Sequence, residues 1–457
     1  HSRQLTATKD GGFEIDADRA FEQVVGVIDE LYEKCDEKRE RAGFGAISSF
    51  WHSLVGVDDA GNPTTKLFAW AETRPARYVH KLRSELNEAE VHNRTGCPFH
   101  SSYWPAKLLW IKESLKEEFE RTSLWLSFPE FMGLQMFGTA ETSISMASGT
   151  GIFDIRNKSW DKPLLDYLEI RRSSLPQISH DASPNLELTS EYQDRWPDIA
   201  KAKWHPAVGD GAANNVGAGC LSKERAALMI GTSGAMRVAW EGKVPEKIPT
   251  GLWCYLIDSK RVVMGGALSD GGGLYRWLKE NLRLSDDDDD TEALIAKREP
   301  AGHGLAFLPF LAGERSTGYN EYATGAVLGL RSANDQIDIV QAALESVAYR
   351  FKDVFDRLCG VFEIREVIAS GGALRESPVW TQIISDVIAR DMVLPQTREA
   401  SSRGAVLLAS LELGLISEVE PESTVEARHF SFNISNREIY QEAYERHQQF
   451  YLKLVTE

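Results

Sequence analysis

GDGAANNVGAGC, Gly209 to Cys220, sets a single carboxylate, Asp210, between glycines, after the apolar Ala207-Val208 and ahead of a run of small residues. A few positions on, Ala226 to Ile230 (AALMI) reads as a buried strand that empties into Gly231-Thr232-Ser233-Gly234. Glycine leaves backbone N–H groups open where a Cβ would stand in the way. A lone acid on a Gly-flanked turn, followed by such a loop, therefore suggests a base beside a phosphate cradle. Alone, Asp210 is as well explained as a helix N-cap, and the loop as a tight turn.

Outward on the N-terminal side, Ile15 to Lys38 carries apolar residues at helical spacing, with no strand expected before it. Ala46 to Val57 reads as strand, turn and strand, closed by the turn cluster Asp58 to Pro63. Phe68 to Arg74 is a short strand leading into a charged helix, and a second helix begins near Pro105. Ser159 to Trp204, rich in Pro, Ser and charge, is expected to be irregular surface. On the C-terminal side, strands are read at Met236–Trp240, Trp253–Tyr255, Val262–Met264, Phe307–Ala312, Glu366–Ser370 and Met392–Pro395. Helices are read after Ser269-Asp270-Gly271, over Ile337–Leu358, Trp380–Ala389 and Gly404–Gly414, the last with small residues suited to close packing on a sheet. The alternation argues for α/β layers, divided after Cys220 into 1–220 and 221–457.

The 457 residues suffice for two or three domains. A net charge of −17 without a Lys/Arg stripe argues against a nucleic-acid partner. No apolar run is long enough to span a bilayer; Phe128 to Phe153 is broken by Glu130 and Glu141. Five scattered cysteines with no CxxC fit a reducing cytoplasm. The aspartate run from 286 to 290 fails as a calcium loop, having Thr291 where glycine is required, and reads as a solvated acidic loop. The chain opens at His1 without Met, so its true beginning is expected to lie elsewhere. There is no GxxxxGK[ST], HExxH or GxSxG, and no metal-spaced His/Cys pair, so no metal ligands are assigned.

The order of eight segments is more specific than any one of them: FWHSLVGVD (50–58), WAETR (70–74), TGCPFHSSYWPAKLLW (95–110), GDGAANNVGAGC, GTSG (231–234), DGGGLYRWL (270–278), LAGERSTGYN (311–320) and SGGALRESPVWTQIISDVIARDMVLP (370–395). Together they resemble the FGGY family of carbohydrate kinases over nearly the whole chain. The resemblance implies an α/β, two-lobed actin-like (ribonuclease H-like) ATPase fold with a central cleft. The sugar would lie on the first lobe, and ATP with Mg²⁺ mainly on the second.

On that resemblance Asp210 is the base that takes the proton of the attacking hydroxyl. Trp51, His52, Trp70, Arg74, Tyr103 and Gly211 fall at sugar-binding positions, and Gly231, Thr232, Ser233, Gly272, Gly371, Gly372 and Glu376 at nucleotide-binding ones. The family's first-lobe acid-Gly-Thr/Ser hairpin has no match here, Glu72 stands where Asp is commoner, and Glu376 where some relatives carry an amide. The TGC…H…Y segment leans toward gluconate, for whose carboxylate Arg74 or Lys107 could serve. A ketopentose kinase (xylulose or ribulose) is the enzymatic rival, and a non-catalytic nucleotide-binding sugar sensor the rival of another class. The expected partners are sugar and ATP, with no nucleic acid and no membrane; the resemblance allows a homodimer.

Overall fold

The computed structural model describes residues 6–35, 42–180, 186–285, 287–419 and 426–456; His1 to Arg3 and Asp286 fall outside them. The second half is built on one seven-stranded sheet. Its order is Trp253–Leu256, Arg261–Leu268, Gly234–Glu241, Arg225–Ile230, Glu366–Ser370, Met392–Leu394 and Arg428–Phe430. Arg225–Ile230 pairs antiparallel with its successor and parallel with Glu366–Ser370. Side chains alternate between the faces of a strand. Accordingly Ala226, Leu228 and Ile230 join the main core with the long helix Gln336–Cys359, while Ala227 packs with Ile368, Val393 and Cys220 on the other side. A sheet buried on both faces explains why AALMI is a continuous apolar run rather than an alternating one.

The first half is assembled from short pairings: Thr6–Ala7 with Phe13–Ile15 and Leu67–Phe68, Ser48–Ser49 with Val208–Gly209, and Val55–Val57 with Leu124–Leu126. Its helices include Ala17–Cys35, Ala76–Glu85, Trp104–Ser114 and Phe128–Phe137. No described helix is long and apolar enough to cross a membrane. None of the five cysteines, all among the described residues, forms a disulfide. An apolar groove of 780 Å³ lies beside Ala17–Cys35, lined among others by Val27, Leu31, Phe44, Phe128 and Val406.

Four expectations are corrected. Strands do precede the first helix, because Glu14 and Ile15 find partners more than fifty residues away in Phe68 and Leu67, which no local pattern discloses. The stretch 159–204 is not mere surface: Trp160, Leu164, Leu165, Leu168 and Ile178 are buried in the main core. The acidic run is not a loop throughout, since Asp287 caps the helix Asp288–Ile295 by accepting from the Asp289 N–H at 3.0 Å, and three aspartates occupy its first turn, where the helix dipole favours them. The small-residue helix, Ala400–Glu412, packs chiefly on the helix Asp210–Gly217 rather than on a sheet, with Leu408 reaching Ala239 and Val263.

That crossing is close enough to exclude side chains. A Cβ on Gly217 would overlap the Ala400 carbonyl oxygen, and one on Gly404 the Ala213 carbonyl oxygen. Gly404→Ala is therefore expected to destabilise by about 1–3 kcal/mol. Gly26→Ala, in the interior of Ala17–Cys35 with nothing within 4 Å of the new methyl, should stabilise by about 0.5–1 kcal/mol. Urea unfolding of the two variants reads both signs, and a shift of the same sign in both would refute the crossing.

Candidate active site

Asp210 is the first residue of the helix Asp210–Gly217, after Gly209 in extended backbone. Every later residue of that helix is buried, while Asp210 itself is exposed. Its Oδ1 accepts from the Gly211 N–H at 2.7 Å. The carboxylate thus stands at a helix N-terminus, where unsatisfied N–H groups suit negative charge. The indole of Trp51 fixes this position. It donates from Nε1 to the Ser145 carbonyl at 2.9 Å, and its ring occupies the space a Cβ would need on Gly149, Gly209 or Gly211. Gly211 therefore makes room for Trp51 and for the Arg237 guanidinium.

Around Trp51 both halves contribute rings. His52, left-handed at φ 69°, donates from Nδ1 to the Gly149 carbonyl at 2.6 Å and packs edge-on against Tyr103 at 4.8 Å. The Tyr103 and Tyr255 hydroxyls share a hydrogen bond of 2.6 Å, and Tyr255 stacks on Trp253 at 4.3 Å. Burial and the nearby Arg315 hold His52 and His100 well below the usual histidine range, so both imidazoles are neutral near pH 7. Arg315 lies over the half-buried Trp70 ring at 5.3 Å. The neighbouring Glu314 anchors that corner through buried contacts with Arg350 and with the Tyr451 hydroxyl at 2.9 Å.

The two cations assigned from sequence to a substrate carboxylate are already engaged. Arg74 donates to Glu72 from Nε and Nη2, both at 2.7 Å, pairs with Glu14, and stacks over Trp110 at 4.6 Å. Lys107, fully buried, donates to the His52 and Ala69 carbonyls at 2.6 and 2.8 Å, and burial lowers its pKa to about 7. Both side chains are thus held by partners within the protein.

On the nucleotide side, the Gly231–Gly234 loop is docked onto the glycines that open the helix Gly272–Asn281. Gly272 N–H donates to the Gly231 carbonyl at 2.8 Å, and Gly271 and Gly273 donate to that of Thr232. Gly272 is thus packed against Gly231 and does not leave open space, whereas nothing lies within 4 Å of a Cβ on Gly372. Gly371, at φ 96°, must be glycine, because a Cβ would strike the Ile230 carbonyl. Thr232 is exposed, Ser233 half-buried, and Glu376 exposed at the end of the short helix Gly372–Glu376. Asp270 ties this turn to the arginine corner by accepting from the Leu311 N–H at 2.9 Å. From Gly234 to Arg237, beside Asp210, is three residues of strand, roughly 10 Å.

Sequence reading missed Arg237, Tyr255 and Trp253 and gave Arg315 no task. The available signal was an arginine inside the apolar strand AMRVAW, since charged residues are seldom fully buried without a reason. Among the described residues no group of three or more His, Cys, Asp or Glu side chains could hold a metal. The acid-Gly-Thr/Ser hairpin also has no counterpart among them.

A glycine loop on the large sheet and an exposed carboxylate at a helix N-terminus suit a two-lobed α/β phosphotransferase of actin-like fold. The chain belongs to the FGGY family of carbohydrate kinases: the family's N-terminal domain matches residues 2–198 and its C-terminal domain residues 226–413. It is 30% identical over 422 residues to the gluconokinase of Bacillus subtilis (strain 168), covering 88% of this chain and 80% of that protein. The gluconate kinase structure from Lactobacillus acidophilus superposes with a TM-score of 0.89 at 25% identity, over 100% of this chain and 92% of that one. The ligand-bound xylulose kinase structure from Lactobacillus acidophilus gives 0.90 at 24% identity, over 99% and 92%.

A pH test follows from Glu321, which joins the halves by accepting from the Ser101 N–H and hydroxyl, both at 2.7 Å, with His100 at 3.5 Å. Burial raises its pKa from 4.5 to about 7. Between these values the folded protein holds a proton that the unfolded chain has released. The group's contribution is thus fully present at acid pH and is lost as pH rises through 7. Relative to Glu321→Gln, the wild type should lose on the order of 2–3 kcal/mol between pH 5 and pH 8 in urea unfolding. Parallel pH profiles would contradict the assignment.

Proposed function

We propose that this protein transfers the γ-phosphoryl group of ATP to a hydroxyl of a gluconate-like sugar acid. The observation that carries the reading is the exposed Asp210 carboxylate, held at the start of an otherwise buried helix against a wall of aromatic and cationic side chains. Asp210 accepts the proton of the attacking hydroxyl as its oxygen bonds to phosphorus, and the bond from phosphorus to the departing ADP oxygen breaks. Thr232 and the Gly231–Gly234 backbone would hold phosphate oxygens, and the open side of Gly372 leaves room for the nucleotide. Mg²⁺ is commonly held by substrate phosphates with one or two carboxylates, which suits a site without a dedicated ligand cage; when bound it neutralises charge on those phosphates. The absence of disulfides fits a reducing, cytoplasmic setting.

The gluconokinase similarity supports the acid over a ketopentose, and a substrate panel decides. ADP release with D-gluconate, D-xylulose, D-ribulose and glycerol is expected to give the highest kcat/KM for gluconate; a higher value for a ketopentose would replace the substrate assignment. Asp210→Asn should lower kcat by roughly 10²–10⁴-fold with ATP affinity unchanged. Undiminished turnover in that variant would remove Asp210 from the chemistry. Binding of sugar and nucleotide by the wild type without turnover would favour the sensor.

A further inference from the structure

Among the cations near Asp210, Arg237 differs from the rest. It is 6% exposed, and its Nε and Nη1 have no hydrogen-bond partner. Arg74 is neutralised by Glu72 and Glu14, and Lys107 is bonded to two carbonyls. Leaving a guanidinium buried without partners is costly, and an apolar residue of similar length would avoid the cost. The strand's neighbours Met236 and Val238 show that this sheet accepts apolar side chains.

The surroundings are shaped for the arginine. Its register partner across the sheet is Gly265, where a Cβ would come within 3.0 Å of its Cγ, and its Nε would lie 2.9 Å from a Cβ on Gly211. Trp253 occupies the next strand in the same row. The two glycines thus border the stem and the head of this side chain, Gly265 lying also against the Met236 carbonyl and Gly211 against Trp51. Its charged neighbours are Asp210, of opposite sign, and Arg315, of like sign. Burial lowers its pKa to about 10, which still leaves it charged at neutral pH.

The charges around the site then sum to an excess of positive. Arg237 and Arg315 are cationic, His52 and His100 are neutral, Glu314 is matched by Arg350, and the acid facing Arg237 is Asp210, which the transfer reaction uses as a base. A neutral ketose or polyol brings nothing to offset that excess, whereas an aldonate brings one carboxylate. We propose that Arg237 recognises the substrate's carboxylate through its guanidinium, a planar group whose adjacent N–H donors make the fork that a carboxylate accepts, with Arg315 adding a second positive charge. This makes Arg237 the residue that separates sugar acids from neutral sugars. The proposal rests on the gluconate-like reading and deepens it.

The test is Arg237→Met, with Arg237→Lys as the second variant, in the full chain. D-Gluconate is titrated without nucleotide by thermal shift and calorimetry, ADP is titrated without sugar, and steady-state kinetics are run with gluconate, xylulose and glycerol. R237M is expected to melt no lower than wild type, because an uncompensated buried charge is removed. It should lose the gluconate-induced thermal shift and drop roughly 100-fold in kcat/KM for gluconate, mainly through KM, with ADP affinity unchanged. R237K, keeping the charge without the fork, should raise KM for gluconate roughly tenfold, and it carries the test if R237M does not fold.

If wild type phosphorylates gluconate and the KM of both variants stays within threefold, the inference is overturned and the enzymatic reading stands. A loss of ADP affinity in R237M would make Arg237 a phosphate contact, which also overturns it. Wild type that turns over xylulose or glycerol but not gluconate overturns the substrate reading, and this inference falls with it.

Discussion

The packing of the Trp51 indole against three glycines is the constraint on which the site depends. Gly149 lies in one segment of the first half and the neighbouring Gly209 and Gly211 in another, and the same ring excludes a Cβ from each. One side chain thereby draws together the Ser48–Ser49 strand region, the loop after Ser148 and the start of the helix that bears Asp210. Burying an indole contributes roughly 3–5 kcal/mol, so packing beneath the carboxylate helps to secure its position. The Gly217–Gly404 crossing holds the other end of that helix against Ala400–Glu412. Asp210 is therefore mounted on a helix pinned at both ends.

Charge is distributed on a different principle in the frame than in the cleft. In the frame, buried charges are matched: Glu72 with Arg74, and Glu314 with Arg350 and Tyr451. Such pairs offset their own desolvation and add geometric definition, and losing one partner is what makes them costly. Around the cleft, Arg237 is left without such matching, and Arg315 is held out by the anchored Glu314 to lie over Trp70. Groups kept ready for a ligand are those whose own structure leaves them incompletely satisfied.

The halves are also joined on the side of the Trp253–Leu256 strand. Cys254 N–H donates to the Gly96 carbonyl at 2.9 Å, His92 Nε2 meets the Leu252 carbonyl at 2.8 Å, and a Cβ on Gly96 would overlap the Cys254 carbonyl. The Tyr103–Tyr255 contact continues this seam to the edge of the site. A kinase must exclude water while its acceptor is aligned, and aromatic rings supplied from both sides give the wall a dry lining.

How much was legible in the sequence depended on how local the signal was. The strand Arg225–Ile230, its Gly-Thr-Ser-Gly loop, the long helix Gln336–Cys359 and the strand before Gly371 follow from periodicity and glycine placement, because those features act over a few residues. The order of the motifs was enough to point to the family. The pairing of Phe13–Ile15 with Leu67–Phe68, the burial of Trp160 and Leu164, and the helix-on-helix seat of Ala400–Glu412 were not legible, since each requires a partner remote in the chain. The same holds within the site. Arg74, Lys107 and Arg237 are equally basic on paper, and only the folded arrangement of Glu72, two backbone carbonyls and two glycines shows which guanidinium has no partner. Sequence by itself determined which chemical groups exist and where their local turns fall. Tertiary structure decided which of them are satisfied, because desolvation and pairing belong to neighbours in space.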